Sequence, residues 1–284
     1  MVLELEKKHA PTVSCRSVGM RYAQTRAWFT VLTKQRAIVG SPRTKRQQKS
    51  LFSTPECKLI ISFQSLRLLI KNAFGRSPNR FLKQVTGVVH VGANTGQERF
   101  LYRRYSLDVV WIEPIPEVFQ RLKDNLRGFD NQIALQALVT DVDEQEYTFH
   151  ISNNDGLSSS VYELKKHKDI WPSVAYVTSI VLNSTTLATL LKNRSIDAGK
   201  YQALVMDTQG SELLVLRGCG PILQHFEFIK TEVPDFESYE GCCQLDDIQD
   251  FMANNGFREI SRFKFAGSPE KGSYYDIVFQ RFHS

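Results

Sequence analysis

The stretch Gly87-Val88-Val89-His90-Val91-Gly92-Ala93-Asn94-Thr95-Gly96-Gln97-Glu98 constrains this chain more than any other. Val88, Val89 and Val91 form a β-branched run of the kind found in strands covered on both faces. Gly92 and Gly96 bracket a turn, where glycine admits a left-handed backbone and lets a ligand approach bare main chain. Beyond Gly96, Phe100, Leu101 and Tyr105 fall at helical spacing. Strand, turn and helix together make a βα unit whose turn lies at the carboxyl edge of a parallel sheet, a usual place for a small ligand. A turn that merely closes the unit is equally compatible with this stretch alone.

The glycine spacing narrows the ligand. A dinucleotide fingerprint reads G-x-G-x-x-G and presses backbone amides onto a pyrophosphate. Here only G-x-x-x-G is present. The looser turn suits a nucleoside without phosphates, such as S-adenosylmethionine. A second buried strand, Asp108–Glu113, ends in a carboxylate 17 residues past Gly96. An acid at that tip is the usual acceptor for ribose hydroxyls. A solvated strand end is the bland alternative for Glu113, and its place after this glycine turn favours the ligand.

Further along, Pro116 is placed to open a helix with Val118, Phe119, Leu122 and Leu126 on one face. Residues 133–139 read as a third strand ending at Thr140 and Asp141, where Asp141 is either a contact to the ligand's base or part of an acidic turn. Tyr147–Ile151 reads as a short strand, and Asn153–Ser160 as a polar loop whose three serines suit an exposed connection. A helix around Leu187, Leu190 and Leu191 precedes the strand Ala203–Asp207. Ser211 and Glu212 suit the capping of the helix over 213–216. The strand Glu227–Val233 carries Glu232 near its exit, a helix follows around Leu245–Met252, and two strands around Gly267-Ser268-Pro269 end the chain.

Alternation of strand and helix implies an α/β fold with a mostly parallel, doubly wound sheet and an antiparallel terminal hairpin. Gly92, Glu113, Asp207 and Glu232 are then expected to converge at the carboxyl ends of the strands.

Charge is unevenly spread. Residues 1–50 hold 11 Lys and Arg against 2 Asp and Glu, and the remaining chain holds 25 against 28. Residues 1–55 read as a basic, disordered extension with some likeness to a transit peptide. The nearly neutral remainder argues against a nucleic-acid groove. From Leu59 to Phe74 the apolar residues recur at helical intervals, implying an amphipathic helix before the first strand. Five cysteines without C-x-x-C spacing suggest reduced thiols in a cytoplasmic protein and no metal site. No apolar run reaches the length of a membrane span.

The strings Val-Gly-Ala-Asn-Thr-Gly-Gln at 91–97 and Glu-Pro-Ile-Pro-Glu-Val-Phe at 113–119 resemble the FkbM family of S-adenosylmethionine-dependent methyltransferases. The serines at 158–160 and Asp-Thr-Gln-Gly-Ser-Glu-Leu-Leu-Val-Leu-Arg-Gly at 207–218 match it as well. The likeness covers about residues 56–284, taken as the methyltransferase domain. It implies a seven-stranded class I methyltransferase (Rossmann-like) sheet and methyl transfer to a hydroxyl of a sugar or secondary metabolite. It implies that Gly92, Ala93, Asn94 and Gly96 hold the cofactor's amino-acid end and that Glu113 binds its ribose. Asp141 or the 153–160 loop would then edge the adenine and acceptor pocket.

The family usually places an acid where this chain has His90. A protonated His90 would repel a sulfonium ligand, so cofactor affinity is expected to weaken below neutral pH. Asp207 is the expected catalytic base or acceptor-positioning group, with Glu232 second and His167 third. Two rival readings are a nicotinamide-dependent oxidoreductase on the same sheet and a non-catalytic binding protein that keeps the fold.

Overall fold

The computed structural model describes residues 78–282. The basic extension over 1–55 and the amphipathic helix expected over 59–74 lie outside the described residues. Among these, seven strands form one sheet in the order β3-β2-β1-β7-β8-β10-β9. They are β1 (Gly87–Val91), β2 (Asp108–Glu113), β3 (Gln132–Gln136), β7 (Ala203–Met206), β8 (Phe228–Pro234), β9 (Phe257–Ser268) and β10 (Gly272–Arg281). β1, β2, β3, β7 and β8 run parallel. β10 inserts antiparallel between β8 and β9. This is the class I methyltransferase, Rossmann-like arrangement, with its C-terminal antiparallel hairpin.

Alternate residues of each strand feed two cores, as the two-residue period of a strand requires. Val89, Val91, Leu204, Met206 and Ile229 pack on one face. Val88, Trp111, Val205 and Phe228 pack on the other. Helices α1 (Arg99–Arg104), α2 (Pro116–Asn125), α3 (His167–Ile170), α4 (Leu187–Asn193), α5 (Glu212–Gly218) and α6 (Leu245–Asn254) connect the strands. Pro116 opens α2 as expected. In α1 the buried face differs from expectation: Tyr102 is buried, while Phe100 is 60% exposed. Arg99 and Arg103 lie over the rings of Phe100 and Phe129, which keeps that outer face partly shielded.

The expected third strand is two strands. β3 pairs with β2 as far as Glu113↔Gln136. β2 stops there because Pro114 follows, and the chain loses its partner. It then crosses after Ala137 into β4 (Leu138–Thr140), part of a second sheet of order β4-β6-β5. β5 (Glu146–Ser152) corresponds to the short strand expected over 147–151, whereas β6 (Tyr176–Thr186) has no counterpart in the sequence reading. Among the described residues no helix is long and apolar enough to cross a membrane.

Candidate active site

The carboxyl ends of β1, β2, β7 and β8 border one cleft holding about 250 Å³ of free space, so it is not plugged by packed side chains. His90, Gly92, Asn94, Glu113, Asp207 and Glu232 all line it. Gly92, Glu113, Asp207 and Glu232, expected to converge, share this cleft with His90 and Asn94. Four other expected residues lie elsewhere.

The glycine turn is shaped by a close approach. Gly92 has φ +78°, and a Cβ there would fall 1.9 Å from the carbonyl oxygen of Asp207. Only a bare α-carbon lets the ends of β1 and β7 lie side by side. Gly92→Ala is therefore expected to cost about 2–4 kcal/mol of stability, combining backbone strain with a clash against main chain. Gly128 has a similar φ of +83° but open space around its α-carbon. Gly128→Ala should cost only about 1 kcal/mol. Denaturant melts of the two variants check this; equal losses would contradict the close approach.

Asn94 also stands in the left-handed region, at φ +44°, which asparagine tolerates. Its Oδ1 accepts from Thr95 N and Gln97 Nε2, and its Nδ2 donates to Asp155 O at 3.1 Å. The turn is thereby tied to the 153–160 loop. Ala93 and Gly96 support the turn from behind and do not line the cleft. Ala93 is buried in the core beside Tyr102, and a Cβ on Gly96 would meet Leu122 at 2.8 Å.

Glu113 is 4% exposed at the tip of β2. Its Oε2 accepts from Asn94 N at 2.8 Å and its Oε1 from Ile115 N at 3.0 Å. Burial pushes this carboxyl up to about 7, against the two backbone N–H groups and Arg121, which pull it down. An apolar wall of Ile115, Leu138, Val139, Phe149 and Leu157 flanks it.

Asp141 is not part of the cleft lining. The crossing into β4 carries Thr140 and Asp141 against Gly218 at the end of α5, where a Cβ would lie 2.0 Å from Thr140 O. His167 is likewise displaced. It is buried among Trp171, Tyr239 and Tyr274, with Nδ1 2.8 Å from the Tyr274 hydroxyl. Burial pushes it down to about 4, and it does not reach the cleft.

His90 lines the cleft but is committed to the core. Its ring stacks on Trp111 at 4.9 Å, and its Nδ1 lies 3.0 Å from the Tyr102 hydroxyl. Burial, helped by the charge of Lys230, pushes it down to about 3. Burial thus disfavours the charged ring on which the expected loss of affinity through His90 rests.

On the far side, Asp207 stands exposed at the end of β7. Gln209 Nε2 donates to its Oδ1 at 2.5 Å, and the Tyr239 hydroxyl donates to Gln209 Oε1 at 2.7 Å. The three serines are not an exposed connection: Ser158, Ser159 and Ser160 are all buried. Ser160 Oγ donates to Gln209 O at 2.8 Å and fixes the turn that orients Asp207. Glu212 takes the bland role expected of it, in stronger form. Its carboxylate accepts from Thr208 N and Gly210 N, closing the turn from beneath.

Four residues at the cleft were not singled out from sequence. Lys230 on β8 sits 3.6 Å from Asp276 and donates to Asn79 Oδ1 at 3.3 Å. Glu98, Gln209 and Asp276 complete the set. Lys230 carried a signal, the one cation in the strand Phe228–Pro234. The others depend on tertiary placement.

Comparison with known proteins places this arrangement. The sequence model of the family described as methyltransferase FkbM domain matches residues 90–259, more than half of the chain. The 2-O-methyltransferase NoeI of Sinorhizobium fredii is 27% identical over 184 residues, covering 62% of this chain and 74% of that protein. Among solved structures, Sp1610 of Streptococcus pneumoniae in complex with S-adenosyl-L-methionine aligns with a TM-score of 0.44 at 12% identity, over 78% of this chain and 74% of that one. Precorrin-6y C5,15-methyltransferase of Geobacter metallireducens aligns with a TM-score of 0.43 at 12% identity, over 81% and 94%.

Proposed function

The chain belongs to the FkbM family of S-adenosylmethionine-dependent methyltransferases, and from that premise we propose that it methylates a hydroxyl of a sugar or comparably small polar molecule. The observation that carries this reading is the buried Glu113 carboxyl beside Gly92, at the mouth of an open cleft. Residues 56–284 act as the catalytic domain.

The residues present fit the cofactor. Each Glu113 oxygen holds one backbone N–H and keeps lone-pair capacity for a ribose hydroxyl. The wall from Ile115 to Leu157 suits an apolar base face. Glu98, Asp207, Glu232 and Asp276 outnumber Lys230 at the other end, which favours a cationic sulfur and disfavours a phosphate backbone. That balance supports a small acceptor over a nucleic acid. The similarity to a 2-O-methyltransferase supports a hydroxyl as the accepting group. Free, buried Cys219, Cys242 and Cys243 suit a reducing compartment such as the cytoplasm.

When bound, the cofactor supplies a methyl carbon already activated by the positive sulfur beside it. The protein's tasks are alignment and proton removal. Asp207 takes the proton of the acceptor hydroxyl on its carboxylate, Gln209 orients that carboxylate, and Tyr239 holds Gln209 in place. Glu232, beside Asp207 in register on the neighbouring strand β8, is the second group able to accept the proton.

Thermal melts with S-adenosylhomocysteine and with NAD test the reading. A rise in melting temperature with the former alone is the expected result. Stabilisation by NAD alone would move the chain to the oxidoreductases. Binding of S-adenosylhomocysteine without methyl transfer to any sugar in a hydroxyl panel would leave a binding protein.

A further inference from the structure

Position 90, at the end of β1, carries a buried histidine that offers no negative charge to a cationic ligand. Both its ring face and its Nδ1 are occupied by Trp111 and Tyr102. A cofactor with an ammonium group would therefore meet no counter-charge at that point of β1. Among the acids that line the same cleft is Glu98, immediately before α1. It lies far enough inside for burial to push its carboxyl up, while the charge of Lys230 pulls it back. An acid in that position is costly to keep ionised unless a cation joins it. Lys230 faces the cleft from β8, braced by Asp276 and Asn79, with its side chain only 17% exposed.

Resting on the S-adenosylmethionine reading above, we propose that Glu98 and Lys230 form a two-charge cradle for the cofactor's amino-acid end. The Glu98 carboxylate receives the ammonium and Lys230 Nζ receives the carboxylate. Glu98 thereby supplies the charge that position 90 lacks. An amino acid is a zwitterion, and two opposite side-chain charges on the same cleft floor are the complement it needs. Glu98 follows the turn after β1 and Lys230 stands on β8, with β7 between those two strands, and both line the cleft at the strand ends, where ligands of such folds bind. Asp276 and Asn79 then have a second purpose. They hold the Lys230 side chain in place before the cofactor arrives, lowering the ordering cost of binding.

Three ligands separate the possibilities. S-adenosylhomocysteine carries the full amino-acid tail, its deaminated analogue keeps only the carboxylate, and 5′-methylthioadenosine carries neither charge. Glu98→Gln should weaken S-adenosylhomocysteine about 10- to 100-fold, the range for losing one charge-assisted hydrogen bond in a partly buried site. It should leave the deaminated analogue and methylthioadenosine bound as in the unaltered protein. Lys230→Gln should weaken both tailed ligands and spare methylthioadenosine, whose binding also reports that each variant is folded.

Titration calorimetry reads all nine affinities. Equal loss across the three ligands, or no loss with Glu98→Gln, overturns the cradle while leaving the cofactor assignment intact. Failure of the unaltered protein to bind any of the three nucleosides overturns the cofactor assignment and the cradle together.

Discussion

Asp207→Asn should lower the rate of methyl transfer by about 10²- to 10⁴-fold, the usual contribution of a positioned general base, and should leave S-adenosylhomocysteine affinity unchanged. The substitution keeps the shape of the side chain and removes its capacity to take a proton. Asp207 borders the cleft at the end of β7 without contributing to the Asn94–Glu113 grip, so cofactor binding has no reason to change. Gln209 Nε2 can donate to the Oδ1 of an Asn at this position as it does to the aspartate, which keeps the Tyr239 contact and preserves the turn. The kinetic signature is a fall in kcat with KM for the acceptor little altered, because the lost interaction matters only as the hydroxyl gives up its proton. Glu232→Gln serves as the comparison, with a smaller expected fall. Wild-type turnover in Asp207→Asn would remove the aspartate from the mechanism, and a larger fall in the Glu232 variant would reverse the two roles.

Much of the frame was legible because it rests on local patterns. The valine runs, the glycine spacing and the acids at strand tips fix β1, β2, β7 and β8, and with them Gly92, Glu113, Asp207 and Glu232 at one edge. What escaped depends on where the chain goes once a strand loses its partner. Residues 133–139 look like one apolar strand, yet the break at Ala137 is set by the length of β2, which those residues do not encode. Of the two readings left open for Asp141, the acidic turn after β4 is therefore the one it takes.

β6 was missed because its apolar residues do not alternate cleanly. Val177 and Val181 face outward, while Ile180 and Leu182 turn toward the small core under Phe149. His90 shows a different limit. Its position was evident from sequence, but its charge state follows from Trp111 and Tyr102, which arrive from other elements. The serines illustrate the same point. Three in a row suit a loop by local preference, and only tertiary contact with Gln209 makes them interior.

Glu113 provides the second large effect, and it shifts the expected pH dependence to a different residue. Without ligand its carboxyl sits at about 7, raised chiefly by burial. Ribose hydroxyls donate to the ionised form, so binding requires the carboxylate. Cofactor affinity should then be near its maximum at pH 8 and fall as pH drops through 7. From fractional ionisation alone, it should be about 30-fold weaker at pH 5.5.

The stability of the cofactor-free protein moves the other way. A carboxyl raised on folding contributes stability below its unfolded value that is lost as pH climbs through 7. The gap in melting temperature between free and bound protein should therefore narrow on acidification. Glu212, also raised to about 7, does not line the cleft and affects both states alike.

Glu113→Gln tests the assignment. It should cost about 100-fold in affinity at pH 8, through loss of a charged acceptor and of one of the two N–H contacts at Asn94 and Ile115. With 5′-methylthioadenosine, which does not engage the Glu98 carboxylate, it should also flatten the pH profile between 5.5 and 8. If the unaltered protein binds 5′-methylthioadenosine, which has the ribose but no charged tail, equally at both pH values, or if that profile survives in Glu113→Gln, the ribose contact lies elsewhere and the acid at the tip of β2 serves only to hold its own turn.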